Sequence, residues 1–392
     1  MRIAQISPLA ESVPPRLYGG TERIVSYLTE DLVRLGHEVT LFASGDSITA
    51  AKLVSCASIG FRLNPKVDDH VPYHMLMLDK VRASAAEFDI LHFHIDQHHF
   101  PVFRQMAGRT VTTLHGRQDL PDLKPLYAGF NDMPLVSISH DQRKPIPDAN
   151  FVANVYHGIP TALHKPNYAP HGGYLAFLGR IAPEKRPDRA IQIAQALGIR
   201  LKIAAKVDKA DESYFCERIS PLLNKPGVEF VGEVDEQGKT TFLGEAQAVL
   251  FPIDWPEPFG LVMIEAMACG TPVLAFGRGS VPEIIDPDVT GAVVDTLDEA
   301  IAAMPHVLQL DRRAVRRRFE ERFSSARMAQ DYVALYQSLI AQSSRPVRAH
   351  TQQPISVFAK PNRRTPRPEQ LPRAPEGLAA FSPSYSEMDR NY

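Results

Sequence analysis

At 392 residues, with 44% hydrophobic and 22% charged residues, the chain exceeds one ordinary domain of roughly 100 to 200 residues and carries enough apolar material for two cores. A formal net charge of −2 provides no global positive field, which argues against nucleic acid as a partner. Cys56, Cys216 and Cys269 are scattered, giving neither a disulfide framework nor a zinc spacing, and no apolar run approaches the roughly 18 residues of a membrane span. A reducing cytoplasm is therefore expected, with membrane contact at most peripheral.

The N-terminus enters a strand-like run at once (Met1-Arg2-Ile3-Ala4-Gln5-Ile6), without the charged and apolar regions of a signal peptide. A strand over 2–7, a loop with Pro and Gly, an amphipathic helix over 21–35, a stop at Gly36 and a strand over 38–43 form a βαβ unit, which implies a parallel sheet. Short apolar segments at 90–93, 110–114 and 135–138 continue that sheet. A loop rich in Pro and His follows over 157–173.

The pattern then restarts with a strand over 174–179, a helix over 187–197 and a strand over 201–205. Further strands are predicted at 228–231, 248–252, 272–275 and 291–294, with a helix over about 259–269. The expected division is a Rossmann-like domain over 1–160, a second over 161–323, and a terminal helix over 324–342. That helix carries Met328, Tyr332, Leu335, Tyr336 and Leu339 at helical spacing and must pack on something. The segment 343–392, dense in Pro and Arg, is expected to be disordered.

The most informative string is Trp255-Pro256-Glu257-Pro258-Phe259-Gly260-Leu261, continuing through Glu265 to Gly270. The prolines keep Glu257 outside the helix, while Glu265 lies about two turns inside it. Eight helical residues span roughly 12 Å, whereas the paired carboxylates of glycosidases stand about 5 to 9.5 Å apart. One elongated ligand fits better than a hydrolytic pair. Exposed N–H groups at Phe259, Gly260 and Leu261 suit a phosphate or a sugar hydroxyl, with Glu257 accepting from the sugar and Glu265 from a ribose.

These two glutamates and the Pro-Phe-Gly between them resemble the E-x7-E motif of retaining glycosyltransferases of family 4. Gly179-Arg180, with Lys185 five residues on, is similar to that family's G-R-x-x-x-x-K segment; by this resemblance Arg180 and Lys185 hold the donor diphosphate. Tyr18-Gly19-Gly20-Thr21-Glu22 resembles its glycine loop, where Gly19 and Gly20 face the donor across a cleft. His115, at a strand end, resembles the histidine beside the transferred sugar. The string 89–99 resembles a D-x-x-H-x-H segment that lines the first-domain face, with His94 or Asp96 expected on the acceptor side.

Val234 lies in a turn similar to the family's base-contacting one. Gly277-Arg278-Gly279-Ser280-Val281-Pro282-Glu283 departs from the usual glycine pair, and His157-Gly158 replaces an Asn-Gly.

The resemblance, over about 1–342, implies an α/β fold of the GT-B type: two facing Rossmann-like domains with parallel sheets and a C-terminal crossover helix. It also implies transfer of a hexose, with retention, from a nucleoside diphosphate sugar to a hydroxyl acceptor. UDP-sugar is favoured, with GDP- and ADP-sugars as alternatives. No cofactor and no metal are expected, because Arg180 and Lys185 would supply the charge. Two other readings remain at this stage: a GT-B nucleotide-sugar epimerase, which needs extra acid and base carboxylates, and a non-catalytic scaffold that binds sugar nucleotides.

Overall fold

The computed structural model describes residues 1–16 and 19–343. Leu17 and Tyr18 of the glycine-loop string, and the tail expectation for 344–392, lie outside the described residues.

The chain builds two parallel sheets. The first contains β1 (Arg2–Ile6), β2 (Glu38–Ser44), β3 (Lys52–Ala57), β4 (Ile90–Phe93), β5 (Thr110–Thr113), β6 (Leu135–Ser137) and β7 (Phe151–Asn154), in the order β3-β2-β1-β4-β5-β6-β7. The second contains β8 (Tyr174–Arg180), β9 (Arg200–Lys206), β10 (Val228–Gly232), β11 (Ala248–Phe251), β12 (Val273–Phe276) and β13 (Gly291–Val294), in the order β10-β9-β8-β11-β12-β13. The central strands are buried on both faces because helices cover them, and so they read as continuous apolar runs. Strand order reverses between β1 and β4 and between β8 and β11, the switch points where open α/β sheets place ligands at the strands' carboxyl ends.

Several elements were not legible in the sequence. The edge strand β3 and the edge strand β7 are only partly buried, so their composition is mixed. The helix Val71–Ser84 buries only Met77, Leu78 and Val81 and exposes Val71, Met75 and Leu76, which blurs its period. The helices Glu236–Gly244, Leu297–Val307 and Arg312–Arg322 were likewise not expected. One boundary is corrected: the helix expected from 259 begins at Leu261, because Gly260 caps it at φ +80 and Phe259 turns into the core.

The terminal helix Ser325–Ser343 returns from the second domain to the first. Met328, Ala329, Tyr332, Tyr336 and Leu339 pack with Ile3, Ile24, Leu28, Val111 and Val136, so this helix completes the first core. Each large side chain fully buried there contributes about 1.5 to 3 kcal/mol. The two interdomain crossings touch: Ile159 N donates to Phe323 O at 3.0 Å and Ser325 N to Ile159 O at 3.0 Å. A side chain at Gly158 would collide with the Ser324 backbone, which explains glycine at that crossing. Among the described residues no helix is long and apolar enough to cross a membrane.

Candidate functional site: a cleft at the carboxyl ends of both sheets

The two strings singled out in the second domain meet in space. Arg180 ends β8, and the short 3-10 turn Pro183–Lys185 carries Lys185 to the 255–260 loop, where its ammonium pairs with the Glu257 carboxylate. The same carboxylate accepts from Trp255 Nε1 at 3.0 Å, and the ammonium lies 4.9 Å from the Trp255 ring centre, a cation–π contact. Arg180 is held by Glu184 at 2.6 Å and by Asp208 and Asp211 at 3.7 and 3.6 Å. Both cations therefore stand preorganised on carboxylates rather than dispersed in solvent.

The 257–260 loop owes its shape to the 277–283 loop that departs from the family pattern. Ser280 N donates to Glu257 O at 2.9 Å, and the buried Ser280 hydroxyl donates to Phe259 O at 2.8 Å. Gly279 adopts φ +59 against the Glu257 backbone, where any Cβ would overlap both its nitrogen and its oxygen. Glu283, in the same loop, crosses to the first domain: its carboxylate accepts from the His140 and Asp141 amides at 2.8 and 2.7 Å and from the Tyr156 hydroxyl at 2.9 Å.

Glu265, 4% exposed, points from its helix into an ion-pair network. It accepts from Lys239 Nζ at 2.9 Å, while Glu236 pairs with Lys239 and, across the cleft, with Arg23 of the first domain. Burial would raise the Glu265 carboxyl, but Lys239, His164 and Arg23 outweigh it and hold the group below the usual range. Oxygens of Glu236 and Glu265 and a nitrogen of His164 lie within 4.8 Å of one another, a spacing that could serve a metal. Here Lys239 and Arg23 already neutralise those carboxylates. Sequence reading missed Lys239, Glu236 and Arg23, whose partners are close only after folding.

The first domain contributes the facing wall. Gly20 opens the helix Gly20–Arg34 opposite Leu261, and a Cβ built on it would lie 3.7 Å from Leu261 Cδ1. A Cβ on Gly19 would press on Pro15 at 2.8 Å, with a Glu22 carboxylate oxygen 3.2 Å away. His115 follows β5 and stacks on His157 at 5.2 Å between ring centres; His157 meets the Phe259 ring edge-on at 4.9 Å. Burial lowers His115 to about 3, so its imidazole is neutral.

His94 does not itself line the cleft: it is 2% exposed, one layer beneath His115, with its Nδ1 2.9 Å from His115 Nε2. Asp96, buried three residues after the end of β4, takes a left-handed φ of 48. Val234 is half-buried in the turn before the helix Glu236–Gly244, whose cap Asp235 accepts from Gly238 N at 2.7 Å.

The comparisons with known proteins agree with this geometry. Residues 163–322 match the family described as Glycosyl transferases group 1, and residues 18–145 match Glycosyltransferase Family 4. The chain is similar to the D-inositol 3-phosphate glycosyltransferase of Saccharomonospora viridis, 32% identical over 186 residues, which is 43% of this chain and 43% of that protein. It is also similar to the N-acetyl-alpha-D-glucosaminyl L-malate synthase of Bacillus anthracis, 25% identical over 82% of this chain and 94% of that protein.

Among solved structures, AviGT4, a glycosyltransferase involved in avilamycin A biosynthesis, superposes with a TM-score of 0.67 at 25% identity over 87% of this chain and 98% of its own. The sucrose-phosphate synthase of Thermosynechococcus elongatus superposes at 0.72 with 19% identity, over 87% of this chain and 100% of its own, and shares the fold. With both halves matched and the two-sheet architecture in place, this chain belongs to the group 1, family 4 glycosyltransferases and is a transferase of the GT-B fold.

Proposed function

We propose that the enzyme transfers a hexose with retention from a nucleoside diphosphate sugar, UDP-sugar in the first place, to an acceptor hydroxyl, without a resident metal or cofactor. The observation that carries this reading is the pairing of Lys185 with Glu257 at the 257–260 loop, with Arg180 held by Glu184, the neighbour of Lys185. A leaving diphosphate gains negative charge in the transition state, and fixed cations in a site shielded from water stabilise that charge most. Glu257 accepts from the sugar hydroxyls and Glu265 from the ribose, while Gly19 and Gly20 let the backbone approach across the cleft. Val234 lies beside the base, and Phe259, Gly260 and Leu261 present the helix N-terminus.

In the proposed step the bond from the anomeric carbon to the phosphate oxygen breaks. The bond to the acceptor oxygen forms on the same face, and the acceptor proton moves to the departing phosphate oxygen. No side chain need act as base, and a His115 lowered to about 3 is a poor one at neutral pH. The acceptor binds on the first-domain side, where Asp96 stands.

A thermal-shift series with UDP, GDP and ADP, with and without EDTA, tests the donor site, because a ligand of the folded state raises the melting temperature. The outcome expected is one nucleotide standing out, unaffected by chelation. Nuclear magnetic resonance of the product of that donor then reads the anomer. An inverted product, or binding that requires a divalent ion, overturns the reading.

A further inference from the structure

Beneath His115 runs a closed chain of hydrogen bonds that ends on the crossover helix. His115 Nε2 lies 2.9 Å from His94 Nδ1, and His94 Nε2 lies 2.7 Å from the Gln5 side-chain oxygen. The Gln5 amide nitrogen faces Tyr336 Oη at 3.2 Å and His92 Nδ1 at 3.4 Å. Tyr336 Oη is 2.6 Å from His92 Nδ1, His92 Nε2 is 2.7 Å from Thr113 Oγ1, and Thr113 Oγ1 is 2.7 Å from Tyr332 Oη. Gln5, His92, Thr113 and Tyr336 are fully buried, and His94 and Tyr332 nearly so.

We infer that Gln5 and His94 are positioning residues that fix His115 as its Nε2–H tautomer, so that its bare Nδ1 accepts a hydrogen bond from a hydroxyl of the donor sugar. An amide oxygen carries no proton, so the His94 nitrogen facing Gln5 Oε1 must be N–H. A neutral imidazole has one N–H, which leaves His94 Nδ1 as an acceptor; the proton shared with His115 then belongs to His115 Nε2. Burial keeps His92, His94 and His115 neutral, so no second proton breaks this logic. At the far end the Tyr336 hydroxyl donates to His92 Nδ1, and His92 Nε2–H donates to Thr113.

The chain has one other consistent sense, reached by turning the Gln5 amide over, and it would leave His115 Nδ1 protonated. That sense reverses every bond from Gln5 to His115, and it is the arrangement that a protonated His115 Nδ1 would reveal. In the sense adopted, which is the orientation the structure shows, the amide oxygen faces the His94 nitrogen at 2.7 Å and the amide nitrogen has Tyr336 Oη as its acceptor at 3.2 Å, while the Tyr336 hydroxyl keeps its short bond to His92 Nδ1. The crossover helix thus takes part in setting the hydrogen-bonding character of a residue in the cleft, which is a reason for two tyrosines on its buried face.

The tautomer is measured on the substrate-free enzyme by long-range proton–nitrogen correlation of protein labelled with 15N-histidine, with the His115 signals assigned from a His115→Gln variant. The expected pattern is a protonated Nε2 and a bare Nδ1; a protonated Nδ1 overturns the inference. This readout does not depend on the proposed donor chemistry.

The kinetic arm does rest on that chemistry. Gln5→Met removes the amide at similar volume, and we expect kcat to fall about tenfold, the worth of one buried hydrogen bond, with donor KM within about twofold. His115 in that variant should show mixed tautomers, with nucleotide binding and melting temperature serving as fold controls. Unchanged tautomer and kcat in a folded Gln5→Met enzyme would also overturn it. If that variant does not fold, Tyr336→Phe, which removes only the hydroxyl, gives the same two readouts.

Discussion

The Lys185 ammonium and the Glu257 carboxylate, 72 positions apart in sequence, form an ion pair beside the Trp255 ring. Each restrains the other before any ligand arrives. Glu257→Gln should therefore free Lys185 for phosphate, tightening UDP binding by about threefold, the worth of a partly exposed ion pair, while transfer falls by about a hundredfold. Lys185→Ala should weaken UDP binding by about tenfold or more, as expected for a charge-assisted hydrogen bond. Calorimetric titration of both variants decides this, and weaker UDP binding in Glu257→Gln would count against the pairing.

Arg23 and Glu236 join the two domains directly next to the Glu265–Lys239 pair. Arg23→Ala should shift the enzyme toward open forms and lower kcat/KM by about tenfold, with a larger radius of gyration in small-angle scattering. An unchanged scattering curve together with unchanged kcat/KM would show that this contact does not govern closure.

Gly279→Ala should be among the costliest single-methyl changes in the protein. Its φ of +59 already strains an L-residue by about 1 to 3 kcal/mol, and the added Cβ strikes the backbone of Glu257. Loss of transfer with a lowered unfolding midpoint is expected. Ser280→Ala removes only the hydroxyl that holds Phe259 O and should cost about 1 to 2 kcal/mol.

Stability should fall as the solution is acidified below neutrality. His92, His94 and His157 lie well below their ordinary 6.5 and His115 falls to about 3, all through burial, so the folded chain keeps them neutral while the unfolded chain binds protons below about 6.5. Between about 6.5 and 3 the unfolded state holds more protons, and stability declines with falling pH. Glu265, held below its ordinary 4.5, adds a second loss as pH drops under that value. Urea midpoints measured from pH 7 to 4 should slope downward, and a flat profile between 7 and 5 would falsify the buried-neutral assignment.

The parallel-sheet architecture and the position of the second-domain motifs were legible because both rest on local signals. Apolar runs mark strands covered on two faces, and the Pro-flanked Glu257, with Glu265 eight residues on, declares a loop followed by a helix. The edge strands β3 and β7 were not legible, since half-exposed strands carry no clean period. His94 or Asp96 was expected to line the cleft; the alternation of side chains along a strand end does not show which histidine lies against another, and here His94 is buried with its Nδ1 2.9 Å from His115 Nε2.

By itself the sequence determined the strand and helix pattern of the central elements, the restart that separates two domains, and the chemical types gathered at Arg180, Lys185, Glu257 and Glu265. Only the tertiary structure decided which charges face each other. Lys185 meets Glu257, Lys239 meets Glu265, Arg23 reaches Glu236 across the cleft, and the tyrosines of the terminal helix join a chain running through His92, Gln5 and His94 to His115. The physical reason is range: backbone preference and hydrophobic period act over a few neighbouring residues, whereas an ion pair or a hydrogen bond requires two atoms within about 3 to 4 Å, a condition set by the packing of the whole fold.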